Sequence, residues 1–215
     1  MKILNLYSGV GGNRKLWKNV EVTAVEKNET IAKVYKDYFS NDKVIVSDAH
    51  EYLLKNYYKY DFIWSSPPCQ SHSRLRKVNL KCDAKYPEMS LYQEIIFLKN
   101  YFRGLWVVEN VIPYYEPLIP ASIIIGRHLF WTNFKITKIK FEEVNLMAKN
   151  SEMIDFLGID LTNYKLNNRK DQIYRNCVNP KVGEYILNCA IGYEKNDISQ
   201  QLSLFNNLTN KKSQL

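Results

Sequence analysis

The chain has 215 residues, 46% of them hydrophobic and 24% charged, with a net charge of +8. That length suits one α/β domain with a small appendage, and no apolar run approaches the roughly 18 residues of a membrane-spanning helix. The excess of lysine and arginine favours a polyanionic partner through counterion release, without giving any sequence preference.

The four cysteines, Cys69, Cys82, Cys177 and Cys189, are widely spaced, with no C-x-x-C pair and no histidine pair nearby. Neither a zinc site nor a disulfide framework is expected. Met1 to Leu6 is too short and too soon polar to serve as a secretory signal, so a cytoplasmic location is expected.

Lys2 to Tyr7 reads as a first strand and runs into Ser8-Gly9-Val10-Gly11-Gly12. Glycines let a backbone turn sharply and approach a ligand, and a helix expected from near Asn13 would aim its amide donors at that ligand. The second strand, Val20 to Val25, ends against Glu26. An acid about 15 to 20 residues past such glycines commonly accepts hydrogen bonds from ribose hydroxyls, and Glu26 stands at that distance from Gly9. A helix expected over Thr30 to Phe39, the strand Lys43 to Val46 and then Ser47-Asp48 repeat the pattern.

Asp61 to Trp64 is the next apolar strand and leads into Ser65-Ser66-Pro67-Pro68-Cys69-Gln70-Ser71. Each proline fixes φ and removes a backbone donor, so Cys69 is presented on a stiff turn with a defined direction. The segment that follows is basic, and Arg74, Arg76, Lys77, Lys81 and Lys85 read as a loop able to grip phosphates beside the cysteine. Leu91, Ile95, Leu98 and Phe102 recur at helical spacing and predict an amphipathic helix over Ser90 to Phe102. Leu105 to Val108 is an apolar strand ending at Glu109-Asn110-Val111, and Pro113, Pro117 and Pro120 punctuate the loop beyond it. Two further apolar runs, Ser122 to Ile125 and Leu129 to Phe134, bracket Gly126-Arg127-His128.

Strands alternating with helices argue for a doubly wound, mostly parallel sheet. Glu26, Asp48, Cys69 and Glu109 each fall just past the C-terminal end of a predicted strand, where open α/β sheets bind their ligands.

This ordered set resembles the cytosine-C5 DNA methyltransferases. Tyr7 to Gly12 is similar to the motif that cradles S-adenosylmethionine, Pro68-Cys69-Gln70 to the catalytic Pro-Cys motif, and Glu109-Asn110-Val111 to the Glu-Asn-Val motif. Arg127-His128-Leu129-Phe130-Trp131 resembles the eighth motif, Phe156-Leu157-Gly158-Ile159 the end of the ninth, and Tyr174 to Pro180 the tenth. The compact length is similar to the small versions carried by phages and prophages.

The resemblance implies a Rossmann-like S-adenosylmethionine-dependent methyltransferase fold. Its catalytic and cofactor-binding part would cover residues 1–134, and a much reduced target-recognition region with a ninth-motif remnant residues 135–170. A tenth-motif helix over 171–192 would return to the catalytic part, and a disordered tail would follow over 193–215. The implied catalytic residues are Cys69, Glu109, Arg127 and His128. The implied cofactor contacts are Tyr7, Gly9, Gly11, Gly12, Glu26, Asp48, Pro67 and Asn176. Arg74, Arg76, Lys77 and Lys81 would contact double-stranded DNA, the chain acting as a monomer with no metal.

In the implied chemistry, C5 of cytosine is a poor nucleophile until Cys69 adds as thiolate to C6 and pushes electron density onto C5. Glu109 would hold N3 and the exocyclic amine, and the base must leave the stack to reach the pocket. Methyltransferases of exocyclic amines need no covalent adduct and usually carry Pro-Pro-Tyr or Pro-Pro-Trp there, so Cys69 selects C5 chemistry. The chain departs from the family pattern at Asn5, where Asp is frequent, and at Gly126-Arg127-His128, which replaces Arg-x-Arg and leaves either Arg127 or His128 as the base contact. Arg175 and Asn179 replace a glycine and a proline of the tenth motif. These departures keep two alternatives open: the same chemistry on tRNA, or a catalytically silent binding protein that retains the fold. His72 and Cys177 are expected to be structural. From Tyr193 the chain turns polar, and within it Gln201-Leu202-Ser203-Leu204-Phe205 resembles the pentapeptide by which bacterial proteins bind the replication sliding clamp.

Overall fold

The computed structural model describes residues 1–72, 88–145 and 148–192. A seven-stranded sheet carries the architecture, in the order β3-β2-β1-β4-β5-β7-β6. Strands β1 (Lys2–Leu6), β2 (Glu21–Glu26), β3 (Lys43–Val46), β4 (Phe62–Ser65) and β5 (Leu105–Val111) run parallel. β6 (Ile123–Ile125) and β7 (His128–Thr132) form an antiparallel hairpin that extends the β5 edge. The order reverses between β1 and β4, which pair through Leu6 and Ser65. Open sheets leave a crevice at such a switch point, and here the loops flanking it are the glycine turn and the Pro-Pro-Cys turn.

Both faces of the parallel strands are apolar, as a doubly covered sheet requires. On one face α2 (Ala49–Asn56) and α3 (Ser90–Tyr101) lay Leu53, Leu91, Ile95 and Leu98 over Leu4, Leu6, Val25, Ile63 and Val108. On the other, a helix over residues 180–192, here α6, packs Val182, Ile186, Leu187 and Ala190 against Ile3, Val22, Phe62, Trp64 and Val107. Beside it α1 (Glu29–Tyr38) and the residue after it set Tyr35 and Phe39 on Ala24. Each fully buried Leu, Ile or Phe in these layers contributes roughly 1.5–3 kcal/mol. The helix starts are set by side chains. Asn28 accepts from the Thr30 and Ile31 amides to open α1, and Asp48 accepts from those of His50 and Glu51 to open α2.

Three expectations are corrected. No helix begins near Asn13; residues 12–16 form turns. Side chains hold this segment to its neighbours instead of a helical ladder. Asn13 Nδ2 donates to Asn5 Oδ1 at 2.8 Å, Arg14 grips Asp42 through two nitrogens, and Trp17 Nε1 donates to the Gly183 carbonyl at 3.0 Å. Glu109 lies inside β5, not past its end, because β7 pairs with it there and prolongs the strand through Val111; Glu26 likewise is the last residue of β2. The tenth-motif segment is two helices, α5 (Lys170–Asn176) and α6. Asn179 Oδ1 accepts from the Lys181 amide at 2.9 Å, and Pro180 takes the first helical position, where its missing N–H costs nothing. A short α4 (Asn150–Leu157) ends on Gly158 at φ +65. No helix among the described residues is long and apolar enough to cross a membrane.

Candidate functional site

A cleft of about 540 Å³ opens at the C-terminal ends of the strands, within the size range of small-molecule sites. The turn after β1 supplies Tyr7, Ser8, Gly9 and Gly12, β2 supplies Glu26, and the start of α2 supplies Asp48 and His50. Ser66 to Cys69, Glu109, Asn110 and His128 form another wall, and Asn176 with Cys177 at the end of α5 closes the cleft.

The wall built from the glycine turn and Glu26 is organised by backbone. Glu26 accepts from the Gly9 amide at 3.0 Å with one carboxylate oxygen and from the Asn28 amide at 2.9 Å with the other. A carboxylate has roughly four acceptor sites, so capacity remains for a ligand's hydroxyls. Gly9 sits at φ +53 with open space where a Cβ would project. Gly12 lies against the α5–α6 link, where an added Cβ would stand 2.8 Å from both Cys177 Cβ and the Val178 carbonyl. Gly11 does not line the cleft: at φ +86 its missing Cβ makes room for the Phe39 ring. Its glycine is needed for packing, not for ligand approach. Asp48 lines the cleft while also capping α2; its carboxyl is held below the usual range, chiefly by the Glu51 amide.

The Pro-Pro-Cys turn is tethered along its length. Asn110 Nδ2 donates to the Pro67 carbonyl at 3.0 Å, and Trp64 Nε1 donates to Ser66 Oγ at 2.9 Å. The His72 amide donates to the Cys69 carbonyl at 3.0 Å, and the buried His72 ring meets the Tyr115 hydroxyl at 2.6 Å. His72 Nδ1 is held in this way, while its Nε2 is buried without a hydrogen-bond partner among the described residues. The half-buried Cys69 thiol is pushed up, first by burial and then by the Glu109 carboxylate, while the Arg127 guanidinium pulls it back. Glu109 is buried, which raises its carboxyl to about 7 against the opposing effects of a hydrogen bond from Ser66 and the charge of Arg127. His128 Nε2 lies 3.5 Å from Glu109 Oε1. Burial, with Arg127 nearby, lowers His128 to about 3, so the imidazole is neutral and the contact is not an ion pair at neutral pH.

The two members of the Arg127-His128 pair are separated. Gly126 at φ +58 and Arg127 make the two-residue turn of the β6–β7 hairpin, and His128 begins β7 and faces the cleft. Arg127 instead donates to the Arg175 carbonyl and lines a neighbouring cavity of about 60 Å³. Its charge still reaches Cys69 and Glu109. Burial pushes the Cys177 thiol up to about 12, so this second cleft cysteine stays protonated and inert.

Glu94 went unrecognised in the sequence. It is fully buried on α3 and takes hydrogen bonds from the Tyr7 and Ser65 hydroxyls. The available signal was its position between Leu91 and Leu98 on the apolar stripe, where a charged residue is out of pattern. Arg74, Arg76, Lys77 and Lys81, and the pentapeptide with Gln201, Leu202, Leu204 and Phe205, lie outside the described residues. Among the described residues no cluster of three or more His, Cys, Asp or Glu side chains is placed to hold a metal ion.

The family model described as C-5 cytosine-specific DNA methylase matches residues 1–112. A type II methyltransferase of Fusobacterium nucleatum, M.FnuDI, is 32% identical over 117 residues, which are 52% of this chain and 32% of the relative. The chain therefore spans about a third of the length of that curated relative. Among solved structures, DNMT2 of Spodoptera frugiperda is 31% identical over 51% of this chain and 35% of its own, with a TM-score of 0.36. The Entamoeba histolytica methyltransferase EhMeth is 17% identical over 52% of this chain and 38% of its own, with a TM-score of 0.35.

Proposed function

This chain belongs to the C-5 cytosine-specific DNA methylase family, whose model matches residues 1–112, and from that premise we propose that it methylates C5 of a flipped cytosine in double-stranded DNA. The observation that carries the reading is the sharing of one cleft, at the switch point of the sheet, by the glycine turn, Glu26, Cys69, Glu109 and His128. S-adenosylmethionine, when bound, supplies an electrophilic methyl group. The cleft's volume, the open space over Gly9 and the pre-oriented Glu26 carboxylate fit that group. Tyr7, Gly9, Gly12, Glu26, Asp48, Pro67 and Asn176 would hold it; Gly11 would act only by shaping the turn.

Cys69 is the nucleophile towards C6 of the base. With its thiol pushed up by burial, it must lose its proton as substrate enters, and the Arg127 charge assists that loss. Glu109, titrating near neutral pH, is suited to share a proton with a ring nitrogen as charge develops on the base. A neutral His128 at the same wall offers one donor and one acceptor in place of the family's arginine. Residues 135–170 serve as the reduced target-recognition region, supporting a short target sequence. The Gln201 to Phe205 pentapeptide supports docking on the bacterial sliding clamp. Equal retention of wild type and a Leu204→Ala/Phe205→Ala variant on clamp protein would remove that partner.

Labelled cofactor incubated with duplex DNA and with tRNA tests the main reading. Methyl incorporation into DNA cytosine, and trapping of a 5-fluorocytosine duplex by wild type but not by Cys69→Ser, are expected. Incorporation into tRNA alone would move the substrate to RNA, and no adduct on any nucleic acid would leave a binding protein with this fold.

A further inference from the structure

We propose that Glu94 is a positioning residue, clamping the glycine turn after β1 to the start of the Pro-Pro-Cys turn after β4. In this way it holds the cofactor side of the cleft in register with Cys69. The proposal rests on the reading of this cleft as the cofactor site.

A carboxylate is costly to bury unless its oxygens are bonded. Glu94 is fully buried in the middle of α3, and each of its oxygens is taken by a different strand end. The Tyr7 hydroxyl donates to Oε1 at 2.5 Å, and the Ser65 hydroxyl donates to Oε2. Those donors stand on neighbouring strands at the switch point, since Leu6 pairs with Ser65. A third wall joins through His50 at the start of α2, whose Nδ1 lies 3.4 Å from Oε1. One carboxylate therefore bonds the β1 turn to the β4 turn and faces α2, three of the segments that line the cleft.

Tyr7 makes the clamp more than a packing contact. Its φ of +53 lies in the left-handed region, which a bulky side chain seldom adopts. It adopts that conformation one residue before Ser8 and two before Gly9, whose amide orients Glu26. The bond to Glu94 fixes the phenol and so holds the backbone reversal that aims the Gly9 amide. The charge contact also reaches His50, raising its imidazole above the usual histidine range chiefly through Glu94; Asp48 is the other acid acting on it.

Glu94→Gln, Tyr7→Phe and Ser65→Ala test the clamp, with thermal melting to confirm folding and S-adenosylhomocysteine as the titrated probe. Folded Glu94→Gln is expected to bind the probe about tenfold more weakly, the loss of one charge-assisted hydrogen bond. It should raise KM for S-adenosylmethionine while leaving KM for DNA unchanged. Tyr7→Phe and Ser65→Ala each remove one hydroxyl donor and should weaken binding several-fold; Ser65→Ala, outside the cofactor contacts, decides the matter if Glu94→Gln does not fold. Wild-type affinity in folded Glu94→Gln and Ser65→Ala would overturn the proposal. Failure of the wild type to bind the probe would instead remove the cofactor reading. The His50 titration followed by NMR then tests Glu94 alone: it should fall in Glu94→Gln, and an unchanged titration would overturn the clamp.

Discussion

Asn110 Nδ2 donates to the Pro67 carbonyl at 3.0 Å, so the residue beside Glu109 in β5 carries the turn that presents Cys69. Glu109 and Cys69 are thereby referenced to one stretch of backbone. Asn110 also accepts from the Val111 amide at 2.9 Å, which fixes which way its amide points. Replacing Asn110 with Ala leaves the buried Pro67 carbonyl without its donor, at a cost of about 1–3 kcal/mol. We expect slower trapping of a 5-fluorocytosine duplex, by about 10- to 100-fold, with affinity for S-adenosylhomocysteine unchanged. A parallel loss of both would place Asn110 among the general stability residues.

Glu109 sets a pH dependence with a definite sign. Its carboxyl rises from 4.5 to about 7 in the folded protein, so the native state binds this proton more tightly than the unfolded chain. The associated stability is present below about pH 4.5 and is lost as pH rises through 7, amounting to roughly 3 kcal/mol. Urea midpoints of wild type and Glu109→Gln measured from pH 4.5 to 8 should diverge in that direction, wild type falling relative to the variant. Parallel curves would show that Glu109 is not desolvated.

His128 has the opposite sign. With its imidazole lowered from 6.5 to about 3, its stability is present above pH 6.5 and is lost as pH falls towards 3. The size is on the order of 5 kcal/mol. His128→Phe should flatten the acid limb of the stability curve, and an unchanged acid limb would contradict a buried neutral ring.

Gly9 and Gly12 should fail differently. Gly12→Ala meets Cys177 and the Val178 backbone at 2.8 Å, an overpacking cost of about 1–3 kcal/mol. In a chain of this length the melting temperature should drop by roughly 2–10 °C. Gly9→Ala meets nothing within 4 Å, so beyond about 1–2 kcal/mol for its positive φ its effect should appear as weakened binding of S-adenosylhomocysteine. Equal effects of the two substitutions on melting and binding would refute this division.

Arg127→Ala removes the cation that pulls both the Cys69 thiol and the Glu109 carboxyl downward. The pH profile of adduct formation should move to higher pH. Arg127→Lys should recover part of that shift but not the hydrogen bond to the Arg175 carbonyl. A profile identical to wild type would place Arg127 outside the electrostatics of the cleft.

The parallel strands were legible because burial on both faces leaves near-continuous apolar runs, as in Leu105 to Val108. The acids and the cysteine were legible because strand ends are where such folds carry chemistry. Other features depended on contacts between distant parts of the chain. β5 runs on through Glu109 only because β7 arrives to pair with it. Asn13 starts no helix because Asn5 claims its side chain. Which of Arg127 and His128 faces the cleft depends on where the two-residue hairpin turn falls. Gly11 looks in sequence like its neighbours, and the rings of Tyr35 and Phe39, at and beyond the end of α1, assign it to packing.

The cover that α6 gives to Ile3, Phe62, Trp64 and Val107 also has a consequence for synthesis. These strands leave the ribosome before α6, and their second apolar face stays bare until residues 180–192 emerge. At about 5–20 residues per second, that delay lasts several seconds after β5 is complete. Nascent chains arrested short of residue 180 should therefore be readily cleaved by protease and held by chaperones, and release of α6 should end both susceptibilities together.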